Sequence, residues 1–445
     1  MRSKRFVLLL ILAAIIGVVA SLVAWGFLEL IYQIQQDVFH HLPDELGFDS
    51  VPVWWPIPVL ALAGVVTAFA IVRLPGTGGH LPANGLNAGT TLPVELPGVI
   101  LAALASIGLG TVLGPEAPLI AIGGGLGLLG ASLIRGNSSP EIGELLAASG
   151  TFAAVSFLFG SPLIAAVLLI EATGLGGPKL KLVLLPGLLA AGIGSLVSIG
   201  MGAWTGLSTS QIAIGTLPLP PFDRPSVVDF AWTIPLALAV AVITLVVFRI
   251  ARETVGFAKS RPYLALPAIG VAIAGLAIAF HATTGKDANE VLFSGQDALG
   301  GLVAGAGAWS LGALALLIAF KGLAYAISLA GFRGGPTFPA MLIGAAAGLM
   351  AAQLPGFDVT PAVAVGIGAG VVAVLRLPLS AIVLAAVLTS KSGLGSSPLI
   401  IVGVVIAQLA VVAISPLIGM DSAAGGDGDV DHNAPPLGSA AEQPG

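Results

Sequence analysis

Long apolar stretches, separated by short polar or glycine- and proline-rich segments, run along almost the whole chain. A stretch of roughly 20 apolar residues is long enough to cross a bilayer as an α-helix. The strict alternation of a membrane β-barrel strand is missing, so the pattern predicts an all-α polytopic membrane protein. Helices are predicted at residues 6–33, 52–73, 93–112, 118–134, 142–159, 161–173, 181–204, 226–256, 264–282, 307–331, 339–354, 360–375, 377–390 and 397–418.

The composition supports a membrane protein and excludes an ordinary soluble domain. Hydrophobic residues make up 56% of the chain and charged residues 9%, and the mean hydropathy is +1.04. Many of the 61 glycines and 31 prolines fall inside the apolar stretches. They predict short, tilted or interrupted helices whose irregular backbone faces protein or water rather than lipid. Cysteine is absent from the sequence, which excludes a disulfide framework.

Charged residues at the two ends bear on topology. Arg2, Lys4 and Arg5 precede an apolar run that is too long for the hydrophobic core of a typical signal peptide. We therefore expect an uncleaved first helix, a cytoplasmic amino terminus and a location in the plasma membrane. Residues 419–445 turn acidic and rich in glycine and proline, which predicts a disordered tail after a transmembrane domain at residues 1–418.

A polar, proline-rich linker at residues 208–225 divides the chain into halves at about 6–207 and 226–418. The halves resemble each other at two places with nearly the same spacing. Duplicated halves with broken segments at corresponding places predict a midplane site where the repeats meet. The residues alone leave open whether the repeats run parallel or inverted. The matching runs are Ser161–Leu168 with Leu377–Leu384, and Pro118–Gly127 with Pro339–Gly348.

Glu116 is an ionisable residue in an otherwise uncharged apolar stretch. A charged side chain at bilayer depth costs roughly 2.5–3.5 kcal/mol on insertion scales, so it normally faces a cavity, a partner or a transport path. The prolines and glycine around it predict a helix that starts inside the membrane, with free N–H groups beside the carboxylate. Further breaks at residues 75–80 and 334–339 also precede helical stretches. Together they indicate an anion site in which the Glu116 carboxylate competes with the anion.

The three breaks resemble the signature sequences of the CLC family of chloride channels and proton/chloride antiporters. No single motif is identical, so the resemblance rests on the order and spacing of the motifs along the chain. It spans residues 6–418. The chain is thus identified as a divergent, prokaryotic-type member without CBS domains. Gly76-Thr77-Gly78-Gly79-His80 is similar to Gly-Ser-Gly-Ile-Pro, Gly114-Pro115-Glu116-Ala117-Pro118 to Gly-Arg-Glu-Gly-Pro, and Gly335-Pro336-Thr337-Phe338-Pro339 to Gly-Ile-Phe-Ala-Pro. Further similarities are Phe159–Leu163 with Glu171, Lys321, and Arg376–Ser380.

The resemblance implies a fold, a transported ion and a role for each matching residue. The fold would be an inverted repeat with broken, tilted helices, and the assembly a homodimer in membrane lipid with one path for chloride or a similar anion per subunit. Glu116 would be the gating glutamate, which occupies an anion site when ionised and swings away when protonated. The Thr77 hydroxyl would replace a coordinating serine and keep its donor. The other positions implied to surround the anion are Gly78, Gly114, Pro115, Ala117, Gly335, Thr337 and Phe338.

Departures from the family pattern bear on the transport mode. The family's antiporters carry a proton-transfer glutamate directly after the acidic residue matched by Glu171, but Ala172 stands there. This favours passive, channel-like conduction over proton-coupled exchange. Glu171 stays a candidate proton relay, with an interfacial carboxylate as the alternative. Pro336 lacks an N–H, and no tyrosine follows Tyr325 to match the family's late coordinating tyrosine, so we expect a more open central site.

Other functional classes fit the sequence less well. A cation-coupled transporter of another fold would normally need more intramembrane carboxylates, amides or hydroxyls than Glu116 provides. Intramembrane proteases need a Ser/His pair, two aspartates or a His-Glu-x-x-His helix, and none of these patterns lies at membrane depth, so we expect no enzyme. The histidine spacing predicts no metal site. No cofactor and no nucleic-acid partner are expected, and bromide, nitrate and fluoride stay open beside chloride.

Overall fold

The computed structural model describes residues 4–86, 89, 91–134, 140–173, 177–206 and 214–419, and the predicted tail therefore lies outside it except for Gly419. Within these residues the chain is helical, with one isolated β-bridge and no strand. The first half contains α1 (Lys4–Gln36), α2 (Leu42–Glu45), α3 (Pro56–Arg73), α4 (Leu96–Gly108), α5 (Glu116–Ser132), α6 (Pro140–Phe159), α7 (Pro162–Thr173) and α8 (Gly177–Thr205). The second half contains α9 (Val227–Ser260), α10 (Pro262–Thr284), α11 (Gln296–Ala304), α12 (Leu311–Gly331), α13 (Thr337–Ala351), α14 (Val359–Leu375), α15 (Pro378–Leu388) and α16 (Ser397–Ile414).

Each predicted helix is present, and the predicted all-α membrane fold is confirmed. Among the described residues, eight helical stretches are long and apolar enough to cross a membrane. The other apolar helices are short, as the glycine and proline content predicted; α7 has 12 residues and α15 has 11. At 1.5 Å per residue such helices cannot cross a hydrocarbon core of about 30 Å. The helices α2 and α11 were not predicted, since both are short and carry acidic residues.

The two halves pack their equivalent helices in the same way. In the first half α5 crosses α6 where Gly123 meets Gly150, and in the second half α13 crosses α14 where Gly344 meets Gly366. At each crossing a side chain on either glycine would overlap the backbone carbonyl of the other. The helices therefore approach each other as closely as their backbones allow. The two crossings lie at corresponding positions of the sequence similarity between the halves.

The described part of the linker joins the halves through backbone hydrogen bonds. Residues 214–226 lie outside the helices and run between α8 and α9. The Ile214 N–H donates to the Leu158 carbonyl in α6 at 3.2 Å, and the Leu217 N–H donates to the Leu388 carbonyl at the end of α15 at 2.7 Å. The linker thus contacts both halves and satisfies its own backbone polar groups by doing so.

Candidate functional site

The second and third glycine- and proline-rich breaks meet at the centre of the fold. The Gly114 N–H donates to the Gly335 carbonyl at 2.8 Å, and the Gly335 N–H donates to the Gly114 carbonyl at 2.5 Å. This antiparallel bridge is the pairing that a twofold relation between the two breaks would give. Because α5 and α13 begin just after these residues, their amino ends converge at the bridge.

Glu116 is the first residue of α5 and lies at this convergence with 1% of its surface exposed. Its Oε1 atom accepts a hydrogen bond from the N–H of Thr337, the first residue of α13, which follows it by 221 positions. The Thr337 hydroxyl and the Phe338 amide also face the carboxylate. Its Oε2 atom has no hydrogen-bond partner among the described residues. The carboxylate therefore lies at the amino end of a helix, where backbone N–H groups and the helix dipole favour an anion.

The carboxylate fills the gap between the two bridged breaks. A Cβ atom on Gly335 would overlap the Glu116 carboxyl group, and a Cβ atom on Gly114 would overlap both this group and the Phe338 ring. Glycine is required at both positions because only a residue without a side chain leaves this space open. The Phe338 ring closes one side of the site and stacks on Phe159 with 5.7 Å between ring centroids.

Tyr325 fixes the backbone just before the Thr337 amide. Its hydroxyl donates to the Pro336 carbonyl at 2.5 Å, and the residue is 1% exposed. Pro336 is the N-cap of α13, so the N–H that proline lacks is not needed there; the next N–H, that of Thr337, binds Glu116. Sequence reasoning missed this role of Tyr325, because nothing local links a tyrosine inside α12 to a carbonyl at the start of α13.

The first break, around Thr77, is tied to the third break by an arginine. Pro75–Gly78 forms a short 3₁₀ turn in which Thr77 has a positive φ of 48°. The Thr77 carbonyl accepts hydrogen bonds from Nε and Nη2 of Arg333, each at 3.2 Å. Gly78 and Ala117 line a common cavity of ≈220 Å³ with Arg333, but Thr77 is not among the residues that line it. The structure thus brings Gly78, Ala117 and the third break together, while the Thr77 side chain is exposed.

Pro115 and Glu171 lie away from this cavity. Pro115 lines a separate small cavity together with Asp297 of α11. The Glu171 carboxylate accepts hydrogen bonds from the N–H groups of Leu379 and Ser380 at 3.0 and 2.7 Å, and from the Ser380 hydroxyl at 2.6 Å. It therefore caps the amino end of α15, in the other half of the molecule, where a negative charge is favoured.

Lys321 of α12 is fully buried and donates hydrogen bonds to the backbone of the segment before α11. Its Nζ atom faces four backbone carbonyls, those of Glu290, Val291, Leu292 and Phe293, at 2.9–3.3 Å. The ammonium group thus supplies hydrogen-bond donors to carbonyls of this segment, of which those of Val291 and Leu292 are buried. In the described part of the chain, no three His, Asp or Glu side chains converge as metal ligands would.

Known proteins resemble this chain in sequence and in fold. Several curated proteins are similar over most of their length, among them the "Putative ion-transport protein YfeO" of Salmonella schwarzengrund and its counterpart in Salmonella typhimurium. Each is 31% identical over 358 residues, which cover 78% of this chain and 81% of the relative.

Solved structures share the fold at low sequence identity. The structure of a slow cyanobacterial Cl⁻/H⁺ antiporter aligns with a TM-score of 0.72 at 19% identity and covers 93% of this chain and 95% of that one. A CLC-type fluoride/proton antiporter aligns with a TM-score of 0.67 at 17% identity and covers 92% of this chain and 96% of that one. The family model for voltage-gated chloride channels matches residues 89–411. Since this match covers well over half of the sequence, the chain belongs to the voltage-gated chloride channel, or CLC, family.

Proposed function

We propose that this multi-pass membrane protein conducts chloride or a similar anion passively, and that the Glu116 carboxylate is its gate. The observation that carries the proposal is the position of this carboxylate. It lies between the amino ends of α5 and α13 and accepts a hydrogen bond from the Thr337 N–H. A carboxylate and a halide carry the same charge and accept the same hydrogen bonds. The position that Glu116 fills is therefore one that a permeant anion can take when the side chain leaves.

Protonation supplies the reason for the side chain to leave. A neutral carboxyl group is bound less strongly by N–H donors and a helix dipole than a carboxylate is. Acid therefore weakens the hold of Thr337 on Glu116 and opens the site to the anion. The donors in this site are neutral N–H and O–H groups, which bind an anion weakly enough for it to move on.

The passive mode is supported by the residue that follows Glu171 on α7, which is not a second carboxylate. Ala172 occupies the position of the family's inner proton-transfer glutamate, and the neighbouring Glu171 is bound by three donors at the start of α15. In the proposed passive mode Glu171 therefore has the structural role of capping α15. We also propose the family's homodimer, with one anion path per subunit, in the plasma membrane and with a cytoplasmic amino terminus.

The test is anion efflux from liposomes that contain the purified protein, recorded with a chloride electrode and a pH electrode together. Chloride efflux without proton movement is the expected result. Proton uptake in a fixed ratio to chloride would overturn the passive mode and make the protein an antiporter. No efflux with chloride, bromide, nitrate or fluoride would overturn anion transport itself. Protein-free liposomes and liposomes with heat-denatured protein serve as controls.

A further inference from the structure

Arg333 is a buried cation without a counter-ion in the described part of the chain. It is 8% exposed, and its guanidinium group donates to the carbonyls of Thr77, Gly331 and Phe332 at 3.0–3.3 Å. Four of its five N–H groups are used in this way, which leaves one N–H on Nη2 for another acceptor. The ion pairs found among the described residues do not include Arg333. Because a buried charge is costly unless an opposite charge compensates it, this guanidinium group is suited to bind an anion.

The space for such an anion is the cavity that Arg333 lines, which we call the Arg333 cavity. It measures ≈220 Å³ and is bounded by the first break, the first turn of α5 at Ala117 and Pro118, and Gly334. A water molecule takes about 30 Å³ in the liquid, so the cavity holds a halide or a small oxyanion with part of its hydration shell. Its position beside the first turn of α5 places it next to the Glu116 gate.

His80 adds a titratable group to the same cavity. Its Nε2 atom is buried and has no hydrogen-bond partner among the described residues, while the Gly85 backbone faces the ring. Burial lowers the pKa of His80, the nearby Arg333 charge lowers it further, and the Gly85 contact partly offsets both. The other titratable groups on the cavity wall are Arg333 and Glu95. The Glu95 Oε2 atom accepts the Leu92 N–H at 2.8 Å.

We propose that the Arg333 cavity binds an anion together with a proton, the guanidinium group holding the anion and Nε2 of His80 taking the proton. An acid in solution gives up the proton and an N–H bond forms on Nε2, so that the net charge of the cavity does not change when both ions bind. The proposal rests on the proposed anion transport. It adds a second acid-dependent step, separate from Glu116, at the approach to the gate.

The physical reason is mutual stabilisation of two charges in a confined space. Without an anion, protonation of His80 places a second cation beside Arg333, which burial and repulsion oppose. With an anion between them, each cation gains a counter-charge, and the new Nε2–H becomes a donor to the anion. Linkage then requires that the anion raises the proton affinity of His80 by the factor by which the proton raises anion affinity. Anion affinity should fall about tenfold per pH unit above the pKa of the anion-free histidine, until it reaches that of the unprotonated cavity.

The experiment measures chloride binding and proton uptake by calorimetry on the purified full-length Glu116→Gln protein, in which the gate no longer titrates. Titrations at pH 5.5, 6.5 and 7.5, each in two buffers of different ionisation enthalpy, give the affinity and the number of protons taken up per chloride. We expect uptake that approaches one proton per chloride in the pH range where the affinity falls about tenfold per pH unit. Adding His80→Gln should abolish this uptake and make the affinity independent of pH. In this background chloride also binds at the vacated gate position, so the Arg333 cavity is identified by its proton-linked binding. Adding Arg333→Gln should weaken this proton-linked binding at least about tenfold, as expected when a charged hydrogen-bond donor is lost.

Matched variants separate this role from a general effect on folding. His281→Gln removes another histidine whose ring is bonded to a backbone carbonyl, that of Lys286, and should leave proton uptake unchanged. Arg73→Gln removes an exposed cation at the end of α3 and should leave chloride affinity unchanged. Arg333→Lys keeps the charge and should bind more tightly than Arg333→Gln. If Arg333→Gln does not fold, the proposal is tested by the loss of proton uptake in His80→Gln and by the chloride affinity of Arg333→Lys.

Two outcomes overturn the proposal: proton uptake that persists in His80→Gln, or proton-linked chloride binding that has the same affinity in Arg333→Gln as in its parent. These outcomes are distinguishable from failure of the proposed function. Anion efflux from liposomes with the Glu116→Gln protein, combined with calorimetry that shows no linked proton, would refute only the Arg333 cavity proposal. A complete absence of efflux would refute the transport function.

Discussion

Replacing Glu116 by glutamine should abolish the acid activation of anion flux. Glutamine has nearly the shape of the protonated side chain but cannot ionise, so the variant stays in the state that acid produces in the wild type. In the wild type, each pH unit above the pKa of the carboxyl group lowers the protonated fraction about tenfold. At saturating chloride, flux through the wild type should therefore rise as the pH falls, while flux through Glu116→Gln should be high and independent of pH.

The magnitude follows from the contact between Glu116 and Thr337. A hydrogen bond to a charged group contributes about 1.5–3 kcal/mol, and about 1.4 kcal/mol corresponds to a factor of ten. An anion that enters the site must replace the carboxylate on the Thr337 N–H. Removing the negative charge should therefore raise the apparent anion affinity of this position by about 10- to 150-fold near neutral pH.

The assay is chloride efflux from liposomes between pH 4.5 and 7.5, with the rate extrapolated to saturating chloride. The rate is extrapolated to saturating chloride because pH is expected to change the chloride affinity of the Arg333 cavity. Once that cavity is filled with chloride, its protonation is not expected to change the efflux rate. The control is Glu141→Gln, which removes an exposed carboxylate at the start of α6 and should keep the wild-type pH dependence. A Glu116→Gln protein whose saturated rate still follows the wild-type pH profile would refute the gating role.

Three further predictions concern stability and can be checked by thermal unfolding in detergent with parallel efflux assays. Glu171→Ala should destabilise the protein by about 1–3 kcal/mol, because α15 loses its cap, but should leave the pH dependence of efflux unchanged; a lost pH dependence would instead favour a proton relay. Lys321→Met should destabilise the protein by about 1.5–3 kcal/mol or more, since the carbonyls of the segment before α11 lose their charged donor; a wild-type melting temperature would contradict this. Gly344→Ala should destabilise by at least about 1–3 kcal/mol, because the new methyl group overlaps the Gly366 carbonyl, whereas Gly143→Ala, which has ordinary space around it, should be tolerated.

The helices and their approximate ends could be predicted from the sequence because lipid leaves the backbone few choices. Apolar runs must form helices in a bilayer, and proline or glycine marks where they start and stop. The prediction that Glu116 stands at a helix start is confirmed, since α5 begins at this residue. Extents differed by a few residues, as for the helix predicted at 93–112, where α4 spans Leu96–Gly108. The roles assigned to the site residues from family resemblance stay predictions.

The partners of individual side chains could not be predicted, because they lie far apart in the sequence. Glu171 was expected to be a proton relay or an interfacial carboxylate, and the structure adds that it caps α15. Thr77 was expected to offer its hydroxyl to the anion, which stays a prediction, and the structure adds that its carbonyl binds Arg333. Arg333 stands directly before the third break in the sequence. None of its neighbours along the chain shows that it has no ion-pair partner among the described residues.

The sequence by itself determined the class of this protein, its repeated halves and the breaks that surround an acidic residue, because these are properties of composition, periodicity and local backbone preference. The tertiary structure decided which breaks meet. The bridge between Gly114 and Gly335 brings the Glu116 carboxylate onto an amide of the other half, and the closure of the first break over Arg333 creates the cavity beside it. Contacts of this kind depend on how two distant helices are oriented, and the local pattern of residues carries no information about that orientation.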